Sequence, residues 1–408
     1  MTIILMLLIV LLSGCAGERA PSADLNKGKL RDFQYGAIVD AGSTGSRIDI
    51  FKWRRSEGAS DNKQFPRDIG DIANVKDTNE KVNDDKPCPV THFLSLDEVS
   101  RLATCSCLHK LTAVARKEAE ERVHHSLPEI DLWVKATAGV RILDASAQKT
   151  IIRETSQCLE KVNGYKLKDS NVITGEEEGL YAWLTVNYPE MEASEGSPKQ
   201  TYGIVEIGGT SAQMAYLYPE GNAPTPTSGG IKTLRNLKVY STSSFLGINE
   251  IKKPYNLGEA YNNDCANGKD PRECVENTIK PFLTTNGPLI DSHFVPRPTI
   301  QFVALSNAAH PIRNLGLENE KNATLKMVLD RANDMCGPDQ EKMEALNEIL
   351  ERAKVEEKHR KSVCFNSLFA TQLANFRWGI RLENISLPEK KYNGWAKGAF
   401  VMELLRSH

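Results

Sequence analysis

The stretch Tyr35-Gly36-Ala37-Ile38-Val39-Asp40-Ala41-Gly42-Ser43-Thr44 recurs in the other half of the chain as Tyr202-Gly203-Ile204-Val205-Glu206-Ile207-Gly208-Gly209-Thr210, one residue shorter. Each copy is an apolar run that ends in an acid, passes through a Gly/Ser/Thr turn and resumes as a second run. The second runs are Ile48-Asp49-Ile50-Phe51 and Met214-Ala215-Tyr216-Leu217. That pattern predicts a β-hairpin each time. Glycine permits a tight turn and close backbone approach, and its neighbours supply amide and hydroxyl donors that can cradle a phosphate. One such turn alone indicates only a hairpin. Two copies, each with an acid at the strand end, predict a duplicated α/β chain whose lobes face one cleft. Acids so placed can hold a divalent cation, directly or through water.

Between the copies, Asp131-Leu132-Trp133-Val134-Lys135-Ala136-Thr137-Ala138-Gly139 reads as a strand running into a small-residue turn. Asn171-Val172-Ile173-Thr174-Gly175-Glu176-Glu177-Glu178-Gly179 reads as a strand followed by an acid-rich helix start. Acids at a helix N-terminus complement the macrodipole, so the three glutamates alone do not argue catalysis. The polar stretch from Lys52 to Asp85 is expected as a surface loop or an elaborated hairpin, and Pro-rich Ala223 to Gly230 as a surface loop. Residues 340–362 are charged, with Met343, Leu346, Ile349 and Leu350 on one helical face, the pattern of a solvated helix docked by an apolar stripe. His124-His125 has no partner at metal-site spacing and reads as a wet helix face.

The whole chain has 408 residues, with 51 basic against 53 acidic side chains and a formal net charge of -2. It therefore carries no basic footprint for nucleic acid. The ten apolar residues Ile3–Leu12 are about half of the ~20 needed to span a bilayer. They read as the apolar region of a signal peptide. The following Leu12-Ser13-Gly14-Cys15 is similar to a bacterial lipobox, whose cysteine becomes a lipidated N-terminus. The expected organisation is a signal peptide over 1–15 and a tether over 16–32, placing the protein in the periplasm, at the cell surface or in the medium. Any membrane attachment would run through Cys15. Of nine cysteines this leaves Cys88, Cys105, Cys107, Cys158, Cys265, Cys274, Cys336 and Cys364, an even set that reads as four disulfides in an exported protein. Cys265 with Cys274 and Cys336 with Cys364 are expected pairs, because they are neighbours in one half of the chain.

Five ordered segments resemble the apyrase, or nucleoside triphosphate diphosphohydrolase, family. They are Asp40-Ala41-Gly42-Ser43-Thr44-Gly45-Ser46-Arg47, Lys135-Ala136-Thr137-Ala138-Gly139-Val140-Arg141, Thr174-Gly175-Glu176-Glu177-Glu178-Gly179, Glu206-Ile207-Gly208-Gly209-Thr210-Ser211-Ala212-Gln213 and Gly394-Trp395-Ala396-Lys397-Gly398-Ala399. Ser243-Ser244-Phe245-Leu246-Gly247 resembles a further family element after the fourth. The resemblance implies an actin-like fold of two ribonuclease-H-like lobes, with lobe I over 33–167 plus 390–408 and lobe II over 168–389. It also implies sequential removal of terminal phosphates from ATP, ADP and other nucleotides in the inter-lobe cleft, assisted by Mg2+ or Ca2+. A monomer is expected.

Residue by residue, the resemblance assigns the general base to Glu177 and the positioning of the attacking water to Ser211, with Thr137 near that water. Gly42, Ser43, Thr44, Gly45, Ser46 and Arg47 form one phosphate-binding turn, and Gly208, Gly209, Thr210 and Ser211 the other. Asp40, Glu206, Gln213 and Trp395 serve the metal, Trp395 through its water shell. Asn307 and Phe369 are candidates for the nucleobase clamp by position. The chain departs from the family pattern at Glu206, where Asp is usual. The extra methylene moves that carboxylate outward by about 1.5 Å. Glu176 stands where the family has Gln, and Thr210 and Ala212 replace the usual Ala and Thr.

These residue types suit phosphoanhydride hydrolysis, which needs an in-line water, a base and charge neutralisation. No GxxxxGK[ST] segment occurs, which disfavours a Walker-type NTPase. The alternatives are a polyphosphate phosphohydrolase, which would lack the fifth segment with Trp395, and a nucleotide-binding surface lipoprotein impaired by Glu206 and Glu176. A sugar or acetate kinase of this fold is disfavoured by export, because ATP is scarce outside the cytoplasm.

Overall fold

The computed structural model describes residues 33–54, 65–78, 82, 87–219, 225–226, 229–253, 257, 264–265, 268–286, 289–388, 392 and 394–407. The expected signal peptide and tether, with Cys15, lie outside the described residues, as does half of Ala223 to Gly230.

Two sheets organise the chain. The first contains β1 (Phe33–Ala41), β2 (Ser46–Arg54), β3 (Gly70–Lys76), β4 (Ile130–Ala136) and β5 (Tyr165–Val172), in the order β3-β2-β1-β4-β5. The second contains β6 (Gly203–Ile207), β7 (Ala212–Leu217), β8 (Gly230–Leu234), β9 (Leu237–Ser244), β10 (Phe302–Ser306) and β11 (Ile385–Ser386), in the order β11-β10-β6-β7-β9-β8. In each, an opening hairpin pairs antiparallel on one side with a third strand. On its other side it pairs parallel with a later strand, which in turn pairs parallel with the last. Strands β9-β7-β6-β10-β11 thus repeat β3-β2-β1-β4-β5, with β8 added at one edge. The duplication read from two hairpins extends to five strands. The first sheet runs on past residue 167 to Val172, and the polar stretch after Lys52 is an elaborated hairpin that contributes β3.

Among the described residues, seven longer helices cover these sheets: α1 (Glu98–Val123), α2 (Ala145–Leu159), α3 (Gly175–Ala193), α4 (Leu325–Met335), α5 (Gln340–Arg352), α6 (Val363–Gln372) and α7 (Ala396–Arg406). Alternation along the central strands sorts their side chains. Ala37 and Val39 of β1 enter a core with Leu108, Leu111 and Ala115 of α1, whereas Ile38 faces the other way. Val205 and Ile207 of β6 likewise join α4, α5 and α6, while Ile204 faces the first sheet's side. Between the sheets lies a third core, built from α3, α7 and the inner faces of both. Central strands buried on both faces explain their unbroken apolar runs.

Within that inner core Phe400 stacks on Phe51 at 4.8 Å and meets Trp53 and Trp133 edge-on at 5.2 and 5.8 Å. Helices α3 and α7 approach so closely that a Cβ at Gly398 would lie 1.9 Å from Tyr181 O. The Gly398 N–H donates to Thr185 Oγ1 at 2.8 Å. Lys135 of β4 is fully buried, its Nζ 2.9 Å from Asp169 of β5 and 3.0 Å from Glu403 of α7. Removing one partner of a buried pair leaves the other charge uncompensated. Lys135→Ala should therefore lower the unfolding free energy by about 3 kcal/mol, read from denaturant melts; an unchanged midpoint would remove this tie between lobe and C-terminal helix.

Four disulfides join Cys88–Cys107, Cys105–Cys158, Cys265–Cys274 and Cys336–Cys364. The two expected pairs form, and Cys105 and Cys107 enter different bridges. His109 does stand beside this region, its Nε2 3.6 Å from Cys105 Sγ, but both nearby thiols are oxidised. Helix α5 buries Leu346 and Leu350 as its stripe predicts, yet ends at Arg352 before Lys354 at φ 54°. His124 caps α1 in the left-handed region, and His125 lies 3.0 Å from Tyr35 Oη; this pair ends the helix and does not form one wet face.

Candidate active site

The β1–β2 and β6–β7 turns close identically. Gly42 N–H donates to Gly45 O at 3.0 Å, and Gly208 N–H to Ser211 O at 2.8 Å. Strand pairing ends at Ala41–Ser46 and Ile207–Ala212, so Asp40 stands opposite Arg47 and Glu206 opposite Gln213. The turns therefore correspond residue for residue, Gly42–Gly45 with Gly208–Ser211.

Each turn is also tied from behind through its carbonyls. Gly42 O accepts from Val90 N at 3.2 Å and Ser43 O from Thr91 Oγ1 at 3.2 Å. In the second turn Thr210 O accepts from Gly247 N at 3.0 Å, Gly208 O from Ile248 N at 3.0 Å, and Gly209 O from Asn249 and Glu250 amides at 2.9 and 3.1 Å. Gly247 packs so tightly that a Cβ would fall 2.4 Å from the Gly209 and Thr210 backbone. This gives the Ser243–Gly247 element a physical role. Oxygens that would repel a phosphate are bonded away. Among the described residues, no protein acceptor takes the N–H groups of Ser43, Thr44 and Gly45, or of Gly209, Thr210 and Ser211.

The acids form one electrostatic field. Arg47 Nη2 lies 3.2 Å from Asp40 Oδ2 and its Nε 3.3 Å from Asp49 Oδ2. Burial pushes Asp49 up to about 6 and also raises Asp40, with Arg47 opposing both. Glu206 Oε1 accepts from Ser306 Oγ at 2.9 Å, while burial raises its carboxyl. Gln213 Nε2 lies 2.6 Å from Ser211 Oγ, 3.1 Å from Glu178 Oε2 and 3.2 Å from Ser243 Oγ. Arg141 Nη2 meets the same Glu178 oxygen at 3.1 Å. Burial pushes Glu178 up to about 8, Arg141 opposing, with the charges of Glu206 and Asp40 adding to the rise. Among the described residues, Glu206 Oε2 and Gln213 Oε1 are buried acceptors without a hydrogen-bond partner. Two orphaned oxygens beside crowded carboxylates suit a hard divalent cation or its water shell.

Not every expected residue joins this cluster. Glu177 sits at the third position of α3 and completes a capping box, its Oε2 accepting from Thr174 N at 2.9 Å while its own N–H donates to Thr174 Oγ1 at 3.1 Å. Its other oxygen is 3.5 Å from Arg406 of α7, and the neighbouring Glu178 takes the inward position toward Gln213. Ser46 uses both of its donors elsewhere, its N–H on Asp77 and its Oγ on Cys88 O at 2.9 Å. Arg47 is held by Asp40 and Asp49. The free donors of the first turn are thus Ser43 to Gly45. Thr137 precedes the Ala138–Arg141 helical turn, and its carbonyl receives Val140 and Arg141 amides at 2.9 and 3.0 Å. Trp395 is buried in the inner core, 6.3 Å from Tyr181.

Asn307 lies just beyond β10, with its backbone N–H and its Nδ2 on Ile207 O at 3.0 and 2.9 Å, at the rim of the second turn. Phe369 is a correction. It is fully buried on α6 and stacks on Phe365 at 5.8 Å, a core residue that cannot meet a nucleobase. Sequence reasoning missed Glu178, Ser243, Ser306 and Asp77 as members of the site. Arg141 lay within a quoted segment without a role. Glu178 and Ser243 also stood in quoted segments, but Ser306 and Asp77 carry no local signal.

A family model described as the GDA1/CD39 (nucleoside phosphatase) family matches residues 27–257. A relative named "Probable apyrase 3" from Arabidopsis thaliana is 24% identical over 431 residues, covering 91% of this chain and 83% of its own. "Ectonucleoside triphosphate diphosphohydrolase 4" of Mus musculus is 31% identical over 211 residues, 46% of this chain and 32% of that protein. Among solved structures, an Aquifex aeolicus member of the Ppx/GppA family superposes with a TM-score of 0.51 at 15% identity, covering 92% of this chain and 99% of that one. That likeness shows the fold alone, an actin-like duplicated two-lobe α/β architecture. The chain belongs to the GDA1/CD39 nucleoside phosphatase family. It is a hydrolase of nucleotide phosphoanhydrides of the apyrase, or nucleoside triphosphate diphosphohydrolase, type.

Proposed function

We propose that the cleft between the two turns hydrolyses nucleoside tri- and diphosphates to the monophosphate and phosphate, with Mg2+ or Ca2+ bound. One observation carries this reading. Two equivalent turns have their carbonyls bonded from behind and their amides free, and they flank acids beside the orphaned Glu206 and Gln213 oxygens. Asp40, Glu206 and Gln213 would hold the cation, directly or through water. When bound, the ion supplies charge neutralisation on the phosphoryl oxygens. The amides of Ser43–Gly45 and Gly209–Ser211 would hold successive phosphates. Ser211, oriented by Gln213, would position the attacking water near Thr137. Glu177, in the first turn of α3, would take its proton, while Glu178 orients Gln213 and Arg141. The amides then receive the charge that develops on the transferring group, the contribution expected of preorganised donors. Asn307, at the rim, would meet the nucleoside.

The test is phosphate release from ATP, ADP and inorganic polyphosphate, with and without each cation. Release from nucleotides only with a divalent ion supports the reading. Release from polyphosphate alone would replace it with the phosphohydrolase alternative, and no release at all would leave a binding protein. Asp40→Asn should raise the cation concentration giving half-maximal activity by at least about tenfold, on the scale of losing a metal-site interaction; an unchanged titration would remove Asp40 from the metal set. The four disulfides support an exported protein. Attachment through Cys15 would bring it to a membrane. Among the described residues, no helix is long and apolar enough to cross one.

A further inference from the structure

Behind the first phosphate turn stands Asp77, buried to 2% exposure directly after β3. One oxygen of its carboxylate accepts the N–H of Ser46 and, at 2.6 Å, that of Cys88. Its own N–H returns to Ser46 O at 3.0 Å. Ser46 Oγ donates to Cys88 O at 2.9 Å. Val90 and Thr91, two and three residues beyond Cys88, hold the carbonyls of Gly42 and Ser43. Asp77 even bounds Gly45, where a Cβ would lie 3.0 Å from its carboxylate. Among the described residues, the ties on the Gly42 and Ser43 carbonyls come from Val90 and Thr91, and Asp77 holds the Cys88 amide just before them.

That segment is itself fastened. Cys88 is bonded to Cys107 on α1, and Cys105, two residues away, to Cys158 on α2. The second turn has a backbone counterpart in Gly247–Glu250, with Ala212 in the place of Ser46. A buried carboxylate accepting amides makes charge-assisted bonds, roughly twice as strong as neutral ones, so Asp77 holds the Ser46 and Cys88 amides firmly together.

We propose that Asp77 is a positioning residue for the hydrolysis: with the Cys88–Cys107 bridge it fixes the first turn so that the Ser43–Gly45 amides face the phosphate. This rests on reading Gly42–Gly45 as a phosphate turn. A displacement of about 1 Å at such a site can lower turnover about a hundredfold. The loss should fall on kcat more than on nucleotide affinity, because the second turn and the cation site remain.

Three variants are compared with the wild type: Asp77→Ala, Asp77→Asn, and the double Cys88→Ser/Cys107→Ser. Asp77→Ala should lower kcat about 30-fold with KM changed less than about threefold. Asp77→Asn keeps an acceptor oxygen of the same shape and should recover to within about fivefold of wild type. The double variant keeps the Cys88 backbone amide but frees its segment, and should lower kcat about fivefold. Hydrogen exchange of the 42–47 amides is followed without substrate and should quicken in Asp77→Ala and in the double variant, more than exchange of 208–213.

Wild-type kcat in folded Asp77→Ala would overturn the proposal. So would an Asn variant as impaired as Ala, or a loss confined to melting temperature. If Asp77→Ala does not fold, unchanged turnover and exchange in the double variant would overturn it. If the wild type releases no phosphate from any nucleotide, the functional reading fails, and exchange alone decides whether Asp77 holds the turn.

Discussion

Glu177→Gln is expected to lower kcat by about a thousandfold, within the range for loss of a general base, while nucleotide affinity stays within about threefold. Glutamine is chosen for a structural reason. Glu177 closes a capping box with Thr174, and a glutamine at that third helical position can still accept the Thr174 amide. The fold should therefore survive, and the loss can be assigned to chemistry. The contact with Arg406 at 3.5 Å is partly exposed and contributes little to stability. Single-turnover phosphate release and nucleotide titration, run on the same preparation, provide the check. Near-normal turnover would transfer the base assignment away from Glu177. The first residue to examine would then be Glu178, which faces Gln213 and Arg141.

The second large effect concerns the metal-free protein. Burial raises Glu178 from its ordinary value to about 8, and Asp49 to about 6. For a carboxyl whose folded value is raised, the native state binds the extra proton. Its contribution to stability is full below the unfolded value and is lost as pH climbs through the folded one. The melting temperature of metal-free protein should thus fall as pH rises from about 5 to about 8, by roughly 5 °C for a change of a few kcal/mol. Saturating Mg2+ or Ca2+ should restore most of that loss at the upper end and little at the lower, since the cation binds the ionised site. Scanning calorimetry with chelator or cation reads it directly. A melting temperature that is flat with pH, or a cation effect equal at both ends, would contradict the crowding of acids in the cleft.

The fold was legible because duplication leaves a trace wherever backbone chemistry is demanding. Two turns that must each present amides kept their Gly/Ser/Thr pattern, and the strands around them kept their apolar runs. The same reasoning singled out Asp40, Glu206, Ser211 and Gln213, which the structure places beside those turns. It does not reach what side-chain direction decides. Glu177 and Glu178 are adjacent letters, yet a helix rotates successive residues by about 100°, sending one to Arg406 and the other to Gln213. Phe369 sat at a plausible spacing, but only tertiary packing shows that it stacks on Phe365. Asp77 was hidden in a polar stretch whose composition reads as solvent-exposed, although its side chain is buried behind the Gly42–Gly45 turn, bonded to Ser46 across 31 residues.

Helix α7 has a consequence for the order in which the molecule can be assembled. Phe400 fills the space between Phe51, Trp53 and Trp133, and Glu403 meets Lys135, so residues near the C-terminus complete the inner face of the first sheet. A growing chain can pair β1 to β5 and cover their outer face with α1 and α2. It must then keep three large aromatic surfaces uncovered until translation has passed Arg406. Contacts so distant in sequence form slowly. A chain with this layout can complete its inner core only after helix α7 has been made.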